Sequence, residues 1–273
     1  MRRHVRGVVG LLLLVLSSGT GCERIPEAPT ELNELSAYLF RNFEHEQEET
    51  RSTGMANLQA FFADVDLTQP YQDLAYAVDD LTEEDVADVV HPDRDPALTL
   101  PVGLVTGSAF PPDDNATIII LEDQTPVEPN SPTTYDRAFV DPTDPSCFPD
   151  RGCLVLRAEN HIWRENAVVD LWHDTHKDFR WVELGEEGSG EWGILARSWL
   201  EETVVGEVGN VTLHQNFSID VFLPDGDGAI RYMALWSETE IEGIPDETME
   251  FTAKLGIHQM FDATEAYLED QAR

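Results

Sequence analysis

The clearest strand pattern in the chain is Val211-Thr-Leu-His-Gln-Asn-Phe-Ser-Ile-Asp-Val-Phe-Leu223. Val211, Leu213, Phe217, Ile219, Val221 and Leu223 fall at every second position with Gln215, while Thr212, His214, Asn216, Ser218 and Asp220 fill the other row. That two-residue period is the signature of a β-strand with unlike faces. "LPDGDGA" (223–229) follows as a turn, and Ile230 to Ile241 returns as the partner strand. Strands of this length reach roughly 40 Å at about 3.3 Å per residue, which suits a strongly curved sheet or an open barrel.

Working outward, the chain from Cys153 reads as an antiparallel meander, with Leu154, Leu156, Ala158 and Ile162 set against Arg157, Glu159, His161 and Glu165. After the hairpin comes an amphipathic helix carrying Ile257, Met260, Phe261, Thr264 and Leu268 on one stripe. Upstream, residues 31–95 have helical spacing. Leu32, Leu35, Leu39, Phe40 and Phe43 predict a first helix, Gly54 its separation from a second with Leu58, Phe61 and Phe62, and Tyr71 to Val78 a third. Thr82-Glu-Glu-Asp85 has the form of a capping box. "LTLPVGLV" (98–105) and "ATIIIL" (116–121) predict strands, and Asp123 to Gly152, with six prolines, a functional loop or a disordered insert.

This order gives an α+β class: N-terminal helices, then a long antiparallel meander over 96–273 closed by a C-terminal helix, forming one domain with the helical segment 31–95. In outline it is similar to helix-grip and lipid-carrier folds, and the resemblance implies a cavity between a curved sheet and a helix.

The N-terminus carries a separate message. Arg2, Arg3 and Arg6 precede the apolar run Val8 to Leu16, and small residues lead to Cys22, so residues 1–21 read as a signal peptide too short in its apolar core to span a bilayer. "GTGC" (19–22) resembles the lipobox of bacterial lipoproteins, with Gly19 standing where a leucine is usual. The resemblance implies that Cys22 is acylated, palmitate included, that residues 22–30 form a lipid-anchored linker, and that the protein sits in the bacterial cell envelope, attached to a membrane and facing the periplasm or exterior. Cysteine parity agrees: of three cysteines, Cys147 and Cys153 are close enough to pair as a disulfide, which leaves Cys22 over.

The chain holds 17 basic and 53 acidic residues, a formal charge of −36. Such a surface repels nucleic acid. Nucleotide-binding and hydrolase signatures are absent, and no resident cofactor is expected. Two readings of "HDTHKD" (173–178) stand: a polar hairpin turn, or a metal site using His173, Asp174 and His176. His161, His214 and Asn216 are candidates to face a ligand, and six tryptophans could line a cavity or fill the core. Asp225 and Asp227 fit a turn better than an EF-hand, because the loop lacks its terminal acids.

Three functions are compatible with these features. The first is a non-enzymatic envelope lipoprotein that binds a small apolar ligand or an envelope partner. The second is a metal-assisted hydrolase built on His173 and His176. The third is an assembly protein whose acidic surface meets a basic partner.

Overall fold

The computed structural model describes residues 26–165, 169–185, 188–206 and 211–273. The segment predicted to be a signal peptide and Cys22 lie outside the described residues. Two helices, α1 (Leu32–Arg41) and α2 (Glu48–Phe62), lead into a short strand β1 (Ala75–Tyr76) and then β2 (Leu100–Ser108). Helix α3 (Pro112–Ile119) and strand β3 (Thr134–Asp141) follow. The meander comprises β4 (Val155–Glu165), β5 (Asp170–Glu183), β6 (Trp192–Trp199), β7 (Val204–Val205), β8 (Val211–Asp225) and β9 (Gly228–Ile241), and helix α4 (Asp246–Gln271) ends the chain. The nine strands form one antiparallel sheet in the order β1-β2-β9-β8-β6-β5-β4-β3, with β7 added to β8, and the sheet does not close. The α+β class read from the sequence is the architecture observed.

Each face of the sheet carries its own helices. On one, Phe40 of α1 meets Phe217 and Trp236 edge-on at 5.8 and 6.3 Å, and Leu195, Ile219, Val221 and Tyr232 complete the main core. On the other, Ile257, Met260 and Phe261 of α4 pack on Val102 and Leu104 of β2, while Ala116 and Ile119 of α3 meet Leu156, Phe179, Ile194 and Phe222. The apolar stripe predicted for the C-terminal helix is buried as expected, Thr264 and Leu268 included.

Several boundaries differ from the sequence reading. The break between the first two helices falls at residues 42–47, and Gly54 lies inside α2. A Cβ there would stand 2.9 Å from Leu39 Cδ2 and 3.0 Å from Tyr38 Cε1, so glycine serves the close crossing of α1 and α2 rather than a helix end. Tyr71–Leu74 is a single 3₁₀ turn leading into β1, and Thr82 bonds Asp85 through both its amide and its hydroxyl without starting an α-helix.

"ATIIIL" lies largely in α3 rather than in a strand. Pro111 and Pro112 open that helix, Asp113 and Asp114 occupy its first turn, and Asn115 bonds back to Phe110 and Pro111. These start signals outweigh the β-branched run. The proline-rich stretch contains edge strand β3, ordered by its pairing to β4.

Strand β8 departs from strict alternation at one point. A register shift between Leu213 and Gln215 marks a bulge at His214. It turns Val211 and Leu213 to the α4 side, where they pack with Leu171 and Ile241, whereas Phe217, Ile219, Val221 and Leu223 face α1. The β8–β9 hairpin closes with Asp225 paired to Gly228, and Gly226 supplies the positive φ of 59°.

Candidate functional site

Four strands each place a charged residue on the face turned to α3 and α4, beside an apolar neighbour two residues away. Arg137 sits between Tyr135 and Phe139 on β3, Lys177 next to Phe179 on β5, Asp220 next to Phe222 on β8, and Arg231 next to Met233 on β9. The strand order brings these positions together under α3 and α4, where they line a small cavity with Asn115, Glu128 and Thr264. Its free volume open to the centres of water-sized groups is about 30 Å³. Arg137, Asp220 and Arg231 are only 5%, 3% and 6% exposed.

Arg137 is fully engaged. Its Nε donates to Asn160 Oδ1 at 2.8 Å, Nη1 donates to the Ile119 carbonyl at 2.7 Å, and the guanidinium lies 5.0 Å above the Phe179 ring. The other charges are not engaged in this way. Asp220 Oδ2 is 3.8 Å from Lys177 Nζ and 3.5 Å from Arg231 Nη2, close enough to attract but too far for good hydrogen bonds. Asp220 Oδ1, Arg231 Nε and Asn115 Oδ1 are buried with no hydrogen-bond partner. Arg231 is held between the Phe222 and Phe261 rings at 4.8 and 4.6 Å, the second ring coming from α4.

Burial sets the electrostatics. It pushes the Lys177 ammonium below its ordinary value against the pull of Asp220, and it raises the Glu128 carboxyl against the pull of Arg164, Lys177, Arg137 and Arg231. Tyr135 is raised by burial to about 12. These shifts describe charges taken out of water around a gap, with their mutual pairing incomplete.

A larger, more open cleft of about 340 Å³ lies on the opposite face, lined among others by Glu44, Asp88, Arg157, Asp178 and Arg197. Its charges already pair: Arg197 with Asp88 at 2.7 Å, Glu44 with Arg157 at 2.8 Å, and Glu44 with Arg180 at 2.7 Å. Those bonds tie the segment after α1 to the sheet. Arg180 Nε and Arg197 Nε remain without hydrogen-bond partners there, but each of those guanidiniums has a short ion pair, whereas under α4 Lys177 and Arg231 meet Asp220 only at 3.8 and 3.5 Å.

The predicted site residues are dispersed. Residues 173–176 form no hairpin turn; they lie inside the continuous strand β5. Alternation therefore sends His173 to the α4 side and Asp174 and His176 to the α1 side. His176 stacks on Trp199 and pairs with Glu201 at 2.9 Å. Asp174 is 2.5 Å from His161 Nδ1, and His161 stacks on Trp172 at an exposed position. His214, the extra residue of the bulge, reaches Glu240 at 3.4 Å on the α1 side, away from Asn216, which shares its row with Ser218 and Asp220. Among the described residues no group of three or more His, Cys, Asp or Glu is arranged to hold a metal ion.

His173 is 8% exposed with Nδ1 unpartnered, and burial, helped by Arg164, lowers it to about 3. Cys147 and Cys153 do form a disulfide, with Cα atoms 5.3 Å apart. Of the cavity residues, only the row containing Asp220 stood out in the sequence. Lys177 carried a signal as one of just two lysines in the chain, set in a strand beside Phe179.

No family model matches the chain, and no curated protein matches it. Solved structures share its outline. A protein from Thermus thermophilus is 14% identical over 64% of this chain and 100% of its own, with a TM-score of 0.42. A STAR-related lipid transfer protein from Xanthomonas axonopodis is 14% identical over 62% of this chain and 85% of its own, with a TM-score of 0.41. The human StarD13 lipid transfer and protein localization domain is 9% identical over 61% and 78%, with a TM-score of 0.38. At these scores the likeness is one of general outline, and no assignment of ligand or function rests on it.

Proposed function

We propose that this chain is a bacterial envelope lipoprotein, anchored through Cys22, that binds a small ligand between α4 and the sheet and performs no catalysis. The observation that carries the reading is the set of buried, incompletely paired charges around the cavity beneath α4: Lys177, Asp220 and Arg231 converge there without good hydrogen bonds to one another. Leaving such groups unpaired in a protein interior costs several kcal/mol in ordinary circumstances. A site that receives polar groups from a ligand has a use for them; a site serving only the fold would be more stable filled with apolar side chains. The anchor rests on "LSSGTGC" (16–22) and on the pairing of the other two cysteines. The metal-assisted hydrolase loses its support, because β5 divides His173 from His176.

Native mass spectrometry of the mature protein extracted from its membrane in a mild detergent tests both parts. The expected spectrum shows an acylated polypeptide with one small molecule retained after desalting. A bare, unacylated polypeptide would overturn the reading and favour the assembly role. Replacing Cys22 by Ser is expected to abolish fatty-acid labelling.

A further inference from the structure

We infer that the group received beneath α4 is an oxyanion of the carboxylate or phosphate class, bound by Lys177 and Arg231; this rests on the cavity being the ligand site. The charge around the gap favours an anion. Arg137, Lys177 and Arg231 line the gap against Glu128 and Asp220, and Arg164 also acts electrostatically on Glu128, so cations outnumber acids at the gap by three to two. The imbalance stands out in a chain with 17 basic against 53 acidic residues. An anionic exterior gives no reason to place surplus cations inside, where desolvation makes them expensive.

Unused donors surround the gap as well. The Lys177 ammonium makes no hydrogen bond among the described residues, and Arg231 Nε and Arg164 Nε are buried without acceptors. Ordered water could satisfy single donors, yet water leaves the charge surplus in place; an oxyanion offsets it and accepts strong charge-assisted bonds. The unpartnered acceptors Asp220 Oδ1 and Asn115 Oδ1 can then take a hydroxyl of the ligand or a water.

Size and rigidity agree. A free volume of about 30 Å³ holds two or three water-sized groups, since each needs on the order of 10–15 Å³, which matches the oxygens of a carboxylate or phosphate and nothing larger. The aromatic rings on either side of Arg231 fix its guanidinium, so little side-chain freedom is lost on binding. Because Phe261 belongs to α4, the same contact couples the helix to the occupied site.

Such an anion can be a free small molecule or the head of a lipid lying under a displaced α4. Isothermal titration of the mature protein with acetate, inorganic phosphate, dodecanoate, dodecyl phosphate and neutral dodecanol separates them, with Lys177→Met and Arg231→Met as variants. Thermal melts establish that each variant is folded, and Lys177→Gln replaces any that is not. At least one anionic probe should bind, and each variant should weaken it by about tenfold or more while leaving dodecanol unchanged. Binding of acetate or phosphate alone identifies a free small anion, whereas binding confined to the alkyl acids identifies a lipid head. Dodecanol and dodecanoate binding equally, with no effect of the variants, would overturn the oxyanion and leave the ligand site standing. Binding of none of the probes would overturn both.

Discussion

Replacing Asp220 by Ala and, separately, Lys177 by Met should have very different effects on stability. Asp220 is the carboxylate nearest two buried cations, 3.8 Å from Lys177 Nζ and 3.5 Å from Arg231 Nη2, and is itself 3% exposed. Removing it leaves both cations without their nearby counter-charge, and breaking a buried pair in this manner costs ~3–5 kcal/mol. Removing Lys177 takes away one member of the cationic surplus and leaves Asp220 facing Arg231. Methionine fills much of the lysine stem's volume beside Phe179, so the loss should stay within about 1 kcal/mol. Urea and thermal unfolding followed by tryptophan fluorescence measure both. In a domain of this size the aspartate variant should melt roughly 6–20 °C lower, at about 2–4 °C per kcal/mol. Equal losses in the two variants would refute the charge imbalance, because they would mean that Lys177 and Asp220 form an ordinary saturated pair.

Other outcomes follow from specific contacts. Gly193→Ala places a Cβ 2.8 Å from the Phe222 carbonyl oxygen and from Met55 Cε, so it should destabilise by ~1–3 kcal/mol in the same unfolding assay. Replacing Cys147 and Cys153 by serine opens a loop with a sequence separation of 6 and should cost about 2 kcal/mol, read as a lower urea midpoint matching that of the reduced native protein. His173 stays neutral in the fold to about pH 3, against an ordinary value of 6.5. Its unfolded form gains a proton first, so its contribution is complete above pH 6.5 and is lost as pH falls from 6.5 toward 3. His173→Leu should therefore lose less stability than the native chain between about pH 7 and pH 4, and identical pH profiles would contradict that assignment.

Where local pattern and tertiary structure agree, the fold could be read in advance. The β8–β9 hairpin is legible because Gly226 and Asp227 separate two apolar-alternating runs, and α4 because its stripe from Ile257 to Leu268 keeps helical spacing. The errors arise where a weak signal overrode a strong one or where a single residue changed the register. Three consecutive isoleucines suggested a strand, yet Pro112 and the acids after it start a helix. The bulge at His214 moves Leu213 to the face opposite Phe217, which strict alternation cannot anticipate. "HDTHKD" looked like a turn because it is polar, but its polar side chains are divided between the two faces of β5.

The candidate site was harder to read for a related reason. Its members come from β3, β5, β8 and β9 and from the segment carrying Glu128, and only sheet order makes them neighbours. Each strand contributes one charge to that face, in β8 within a polar row that includes Asn216 and Ser218, and the cluster becomes visible once the strands are assembled into the sheet.

The site beneath α4 is tested most directly by an experimental crystal structure of the protein purified from its native source, with attention to the space between Lys177, Asp220 and Arg231. Density for an oxyanion within hydrogen-bonding distance of Lys177 Nζ and Arg231 Nε is the expected result. A gap closed by direct Lys177–Asp220 and Arg231–Asp220 hydrogen bonds, or filled by water alone, would contradict it.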